Sequence, residues 1–176
     1  MRRFTFLNLC LLLAGVTVVG GALMIARYYP AHGEELSADE ELPNVYTHPE
    51  LGFSFRYPAA FRVNEMPHGN GSETVLVEDP LHARQGFQVF TQPYDDAGPL
   101  TEARIRQDQP DMTMETFAPV QVAGEPGISF VQLQSPDVGK TYEVWFVHQG
   151  TLYEVATYAE RAATLTDILA TWTFHP

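Results

Sequence analysis

The sequence predicts one α+β domain in which a twisted antiparallel β-sheet is covered by helices on both faces, with one transmembrane helix before it. Three patterns predict this architecture. Short segments in which large apolar residues alternate with other residues recur after position 46. Two segments of helical periodicity interrupt them, and a long uncharged apolar stretch lies near the N-terminus.

The apolar stretch, residues 4–26, has no charged side chain and is long enough to cross a bilayer as a helix. Arg2 and Arg3 precede it and Arg27 follows it, a bias that favours a cytoplasmic N-terminus. We therefore expect a single-pass protein of the bacterial cytoplasmic membrane whose C-terminal domain lies outside the cytoplasm. The expected parts are an N-terminal membrane anchor (1–27), an acidic flexible tether (28–45) and an extracytoplasmic domain (46–176).

Three other kinds of leader fit the N-terminus less well. A cleaved signal peptide has a shorter apolar core and a small-residue cleavage site after it. A lipoprotein signal places its cysteine after the apolar run, whereas Cys10 lies early in the run and follows Leu9. A twin-arginine signal requires an apolar residue where Thr5 stands. An uncleaved anchor is the better interpretation.

The charge of the chain narrows the classes of function. All 22 acidic residues follow Arg27, with only 7 of the 10 lysines and arginines, so that part carries a formal charge of −15. Such a domain repels nucleic acid and suits a basic protein partner, although solubility alone also explains the charge. Cys10 is the single cysteine, which excludes a disulfide, a cysteine nucleophile and a thiolate metal site from the domain.

The strand pattern is clearest where Phe53, Phe55 and Tyr57 alternate before Pro58. Gln149-Gly150 separates the two arms of a hairpin, because glycine supplies the positive φ of a two-residue turn. Trp145 and Phe146 point to opposite faces of one arm, which predicts cover on both faces. The expected strands are 51–57, 61–64, 74–78, 87–92, a short one that includes Met112 and Met114, 120–122, 128–133, 141–148, 151–158 and 171–174.

Two helices are expected. The first spans 101–109, with Thr101 as its N-cap and Pro110 as its stop. The second spans 161–170 and carries an apolar stripe that faces the sheet. That stripe consists of Ala162, Leu165, Ile168 and Leu169.

Three segments carry a resemblance to a known family. The segment Leu-Gly-Phe-Ser-Phe-Arg-Tyr-Pro (51–58) resembles the opening strand of PsbP-like domains in small bacterial membrane-anchored proteins. The segments 99–105 and 168–174 are similar to the middle helix and the closing helix-to-strand segment of the same group. The resemblance covers about 44–174 and departs at Phe61, where the family usually has tryptophan. It implies an α/β/α sandwich and carries no catalytic residue to this chain.

The sequence contains no Gly-x-Ser-x-Gly nucleophile elbow, phosphate-binding glycine loop, dinucleotide-binding fingerprint or His-Glu-x-x-His motif. The best polar cluster is His68, Asp79 and His82, which two strands and their loop can bring together as ligands for zinc or manganese. The alternative is that Asp79-Pro80 opens an ordinary turn and the histidines are solvated. We expect no catalytic residue and no cofactor.

The expected function is therefore a non-catalytic, membrane-tethered extracytoplasmic accessory or binding module that acts on a protein partner. A small-molecule or metal-binding module is the alternative, which a pocket of convergent polar groups favours. A hydrolase is third, and a serine–histidine contact beside backbone donors favours it.

Overall fold

The computed structural model describes residues 41–82, 84–95, 98–134 and 139–175. The predicted anchor and residues 28–40 of the predicted tether lie outside the described residues. Among the helices in the described part of the chain, none is long and apolar enough to cross a membrane.

Within those ranges the domain consists of ten strands and two α-helices. A 3₁₀ turn, Ala159–Arg161, leads into the second helix. The elements are β1 (Asn44–Thr47), β2 (Phe53–Tyr57), β3 (Arg62–Gly69), β4 (Ser72–Glu78), β5 (Gly86–Pro93), α1 (Glu102–Asp108), β6 (Thr113–Val122), β7 (Glu125–Leu133), β8 (Lys140–His148), β9 (Thr151–Tyr158), α2 (Ala162–Ala170) and β10 (Thr173–Phe174).

The strands form two sheets in which every pairing is antiparallel. The larger sheet has the order β3-β4-β5-β9-β8-β7-β6, and the smaller one has the order β1-β2-β10. The β8–β9 hairpin therefore lies in the middle of the larger sheet, as the two-sided apolar pattern of 141–148 predicts. Gln149 and Gly150 make its turn with φ of 47° and 77°, a two-residue turn with positive φ at both positions.

Each face of the larger sheet contributes to its own hydrophobic core. The small sheet and α2 cover one face, with Phe53, Phe146 and Ile168 fully buried between them. Helix α1 covers part of the other face, where Ile105 packs with Trp145. The prediction of cover by helices on both faces is thus correct for α1 and incomplete for the opposite face, where three short strands share the cover with α2.

Helix α1 forms where the sequence predicts it. Thr101 Oγ1 accepts a hydrogen bond from the N–H of Arg104 at 3.2 Å and caps the N-terminus. The helix ends one residue before Gln109, its C-cap, because Pro110 cannot continue it. Ile105 is its fully buried residue.

Two hydrogen bonds join β1 to the larger sheet. Tyr46 Oη donates to Glu65 Oε1 at 2.7 Å, and His48 Nε2 lies 3.0 Å from Glu73 Oε2. His48 Nδ1 accepts from two backbone N–H groups in the turn that follows, so the ring proton is on Nε2 and is donated to Glu73. Burial and the neighbouring Glu65 raise the pKa of Tyr46, which keeps its hydroxyl a donor.

The structure differs from the predicted elements mainly at the sheet edges. Strand β1 begins at Asn44, two residues before the predicted domain boundary. The edge strand β3 is much longer than the predicted 61–64. The edge strand β6 is one long strand where the sequence predicts two short ones, at Met112 and Met114 and at 120–122. Edge strands expose most of their side chains, so they lack an alternating apolar signal. In β6 a bulge between Glu115 and Ala118 also breaks the period.

Candidate functional site

The structure brings together two of the three predicted metal ligands. Asp79 Oδ2 lies 2.6 Å from His82 Nδ1 in the loop after β4. His68 lies near the far end of β3, where its Nε2 is 2.8 Å from Thr74 Oγ1. A strand rises about 3.3 Å per residue, so the length of β4 places Thr74 roughly 16 Å from Asp79. In the described ranges, no three His, Cys, Asp or Glu side chains form a group that could hold a metal ion.

Asp79 makes hydrogen bonds within the loop between β4 and β5. Its Oδ1 accepts from the N–H of Leu81 at 2.8 Å, while its Oδ2 pairs with His82. The backbone of Asp79 donates to Gln85 at 2.9 Å and accepts from His82 at 3.2 Å. Burial opposes ionisation of Asp79, but the bonds from His82 and Leu81 outweigh it and lower the pKa of the carboxyl.

We call residues 79–82 and 84–85 the β4–β5 loop. Leu81 lies at its tip with 84% of its surface exposed, the largest exposure of any large apolar residue in the described ranges. The far side of the loop is held by Arg84, which lies 3.9 Å from the ring centre of Tyr158 and 2.8 Å from Glu160. The loop therefore presents an apolar side chain to solvent.

A second cluster lies on the α1 face of the larger sheet and is buried. Glu143 on β8 is 2% exposed and accepts from the Thr141 hydroxyl at 2.7 Å and from Trp145 Nε1 at 3.4 Å. Burial raises the pKa of Glu143 to about 7, and the two hydrogen bonds only partly oppose it. Glu154 on β9 accepts from Gln92 Nε2 at 2.7 Å. Burial, together with the charge of Glu143, raises the pKa of Glu154 to about 8.

Gln88 belongs to the same cluster. It is 4% exposed, and its Oε1 has no hydrogen-bond partner among the described atoms. Sequence reasoning missed all three residues. The available signal was an acid near the centre of each arm of a hairpin that was itself predicted to be covered on both faces.

Ser54 makes a serine–histidine contact, on the outer side of the small sheet. Its Oγ lies 2.9 Å from His175 Nε2 and 2.8 Å from Thr173 Oγ1. The backbone N–H of His175 donates to Gly52 at 2.8 Å. The described hydrogen bonds of His175 therefore reach hydroxyl and carbonyl oxygens and no carboxylate.

A cleft lies between α2 and the β5–β9 pair. Phe61, Phe87 and Leu165 form its apolar wall, and Arg161 and Thr164 lie at its polar side. Its volume is about 10 Å³, room for roughly one water molecule. This is too small for an organic ligand in the described conformation.

The comparisons with known proteins identify the fold. No family profile matches the sequence, and no curated protein is similar to it. The solution structure of cyanobacterial PsbP (CyanoP) from Synechocystis is similar with a TM-score of 0.51 at 11% identity, over 75% of this chain and 92% of that one. A crystal structure of a Bacteroides thetaiotaomicron protein is similar with a TM-score of 0.52 at 14% identity, over 77% of this chain.

The chain spans only half of the Bacteroides protein. At these identities the similarity concerns the fold, and it confirms the PsbP-like architecture that segments 51–58, 99–105 and 168–174 predict.

Proposed function

We propose that the chain is a non-catalytic accessory module, tethered to the bacterial cytoplasmic membrane by residues 4–26, whose extracytoplasmic domain binds a protein partner. The observation that carries the proposal is the exposure of Leu81 on the β4–β5 loop. Transfer of a leucine side chain from water into an apolar contact is worth about 1.5–3 kcal/mol. A partner surface that covers Leu81 would gain this free energy on binding.

The hydrogen bonds within the loop support the same proposal. The bonds that Asp79 accepts from the Leu81 N–H and makes with His82 reduce the conformational entropy that these residues lose when they bind a partner. Asp79 and His82, which the sequence suggests as metal ligands, act in this proposal as the residues that position Leu81.

The charge of the domain indicates the chemistry of the partner. Four of the cationic side chains, Arg84, Arg104, Arg106 and Lys140, form ion pairs with acids of the same domain. The remaining charge of the domain is negative, since residues 46–176 contain 17 acidic residues and 7 lysines and arginines, a formal charge of −10. A partner with a basic surface around an apolar pocket is the best complement.

Site-specific cross-linking tests the proposal in intact cells. A photoreactive residue at position 81 should cross-link one protein, and the same residue at position 133 should not. Leu133 is the control because it is also an exposed leucine, and it is 36% exposed. The captured partner, once purified, should bind Leu81→Ser about tenfold more weakly, a loss of roughly 1.4 kcal/mol, and Leu133→Ser with unchanged affinity. Equal cross-linking at both positions, or unchanged affinity of Leu81→Ser, would rule the loop out as the contact.

A hydrolase is the second candidate, and the Ser54–His175 contact favours it. We prefer the accessory module because the described hydrogen bonds of His175 include none to a carboxylate, the group that orients the histidine in a Ser-His-Asp triad. A fluorophosphonate probe decides the matter. Labelling that disappears in Ser54→Ala and persists in Ser72→Ala supports the hydrolase, and absence of labelling excludes a nucleophilic Ser54.

A further inference from the structure

Three oxygen-bearing side chains surround one alanine on the α1 face of the larger sheet. Ala156 on β9 pairs with Glu143 of β8 on one side and with Gln88 of β5 on the other. Glu154 precedes Ala156 by two positions on the same strand and therefore points to the same face. Direct cross-strand neighbours lie about 5 Å apart and diagonal ones roughly 7 Å apart, measured between Cβ atoms. The short methyl group of Ala156 leaves these longer side chains within reach of a common point above it.

The cluster is rich in acceptors and has no positive charge. The described donors to Glu143 are the hydroxyl of Thr141 and the indole of Trp145, and the donor to Glu154 is the amide of Gln92. The Gln88 Oε1 has no described donor, although it is buried. Because Glu143 and Gln88 are buried, two carboxylates on the same face as an unpartnered carbonyl oxygen are costly unless protons or a cation compensate them.

We propose that Glu143, Glu154 and Gln88 form a binding site for a hard divalent cation, Ca²⁺ or Mg²⁺. Carboxylate and amide carbonyl oxygens are the ligands that these ions prefer, and water completes their coordination. The acids alone supply two ligands, and the Gln88 carbonyl supplies the third oxygen. Glu154 is only partly buried, so the ion reaches the cluster from its side.

Calorimetric titration of the full chain in detergent with Ca²⁺, and separately with Mg²⁺, tests the site at constant ionic strength. At pH 8 we expect one site for at least one ion. Glu143→Gln should weaken binding by about tenfold or more, and so should Gln88→Leu, which keeps both carboxylates. Glu115→Gln is the matched control, since Glu115 is an exposed acid paired with Lys140. This variant should bind the ion with the affinity of the wild type.

Trp145 fluorescence gives a second readout, because its indole donates to Glu143. The emission should change on saturation in the wild type and in Glu115→Gln. Absence of binding by both ions at pH 8 would overturn the proposal. Binding that Gln88→Leu and Glu143→Gln leave unchanged would also overturn it, since it would then belong to the acidic surface. If Glu143→Gln does not fold, Gln88→Leu alone decides.

Discussion

Trp145 and Phe146 are adjacent on β8, yet each ring lies in a different hydrophobic core. Trp145 is 3% exposed and packs with Phe130 under α1, at 5.4 Å between ring centres. Phe146 is fully buried and stacks on Tyr153 at 5.0 Å, under the small sheet. One strand thus contributes a large aromatic residue to each side of the domain, and the stability of both layers depends on it.

Alanine at either position should therefore destabilise the domain by a similar amount. We expect Trp145→Ala and Phe146→Ala each to lower the free energy of unfolding by about 3–5 kcal/mol, because each leaves a large cavity. Urea denaturation measures the loss. Val45→Ala, at a position that is 56% exposed, should change stability by less than about 0.5 kcal/mol. A silent Trp145→Ala would mean that the α1 face is not a packed core.

Glu143 should make the stability of the metal-free protein depend on pH. Its carboxyl has a pKa of about 7 in the folded protein against 4.5 ordinarily, so between those values the folded state binds more protons than the unfolded state. The stabilising contribution is complete below pH 4.5 and is lost as the pH rises through about 7. The loss amounts to roughly 3 kcal/mol at 1.36 kcal/mol per pKa unit.

Glu143→Gln should remove the contribution of Glu143 and be more stable than the wild type at pH 8, while Glu154, whose carboxyl has a pKa of about 8, keeps a dependence of the same sign. Thermal unfolding from pH 4 to pH 9 in the presence of a chelator measures it. Glu115→Gln should keep the pH dependence of the wild type, because Glu115 is exposed. An identical pH profile for Glu143→Gln and the wild type would show that Glu143 ionises freely in the folded protein.

His48 should be the residue that holds β1 on the domain. It is 3% exposed, donates to Glu73 and stacks on Phe53 at 5.0 Å between ring centres. His48→Ala should cost about 2–4 kcal/mol, since it leaves a cavity and an unpaired acceptor. Hydrogen exchange should show faster exchange in β1 and unchanged exchange in β8. Glu73→Gln retains an acceptor for His48 and should destabilise the domain less than His48→Ala. Faster exchange in β8 rather than in β1 would contradict the role of His48 in holding β1.

The N-terminal stretch should keep the chain in the membrane. Residues 4–26 are apolar and uncharged, so the full chain should fractionate with membranes and a version that begins at residue 41 should be soluble. Protease added outside the cytoplasmic membrane should digest the domain or its tether. Recovery of a soluble form of the full chain that begins after Ala26 would contradict an uncleaved anchor.

Much of the fold is predictable from local patterns. The alternation of Phe53, Phe55 and Tyr57, the turn at Gln149-Gly150 and the N-cap at Thr101 each concern neighbouring residues, whose periodicity and turn chemistry act over a few positions. The burial of both faces of β8 can also be predicted, because a strand with large apolar residues on each face needs a hydrophobic core on each side.

The sites were not predictable in the same way. By itself the sequence determined the acidity of the domain, the apolar N-terminal stretch and the run of alternating strands, since these follow from composition and from short-range periodicity. The PsbP-like architecture followed from the resemblance of segments 51–58, 99–105 and 168–174 to that family. Only the tertiary structure separated His68 from Asp79, because register places them at opposite ends of β4. It also gathered Gln88, Glu143 and Glu154 around Ala156, because pairing between three strands brings together residues that are distant in the chain. Strand order is set by the packing of the whole domain, so no local pattern encodes which polar side chains become neighbours.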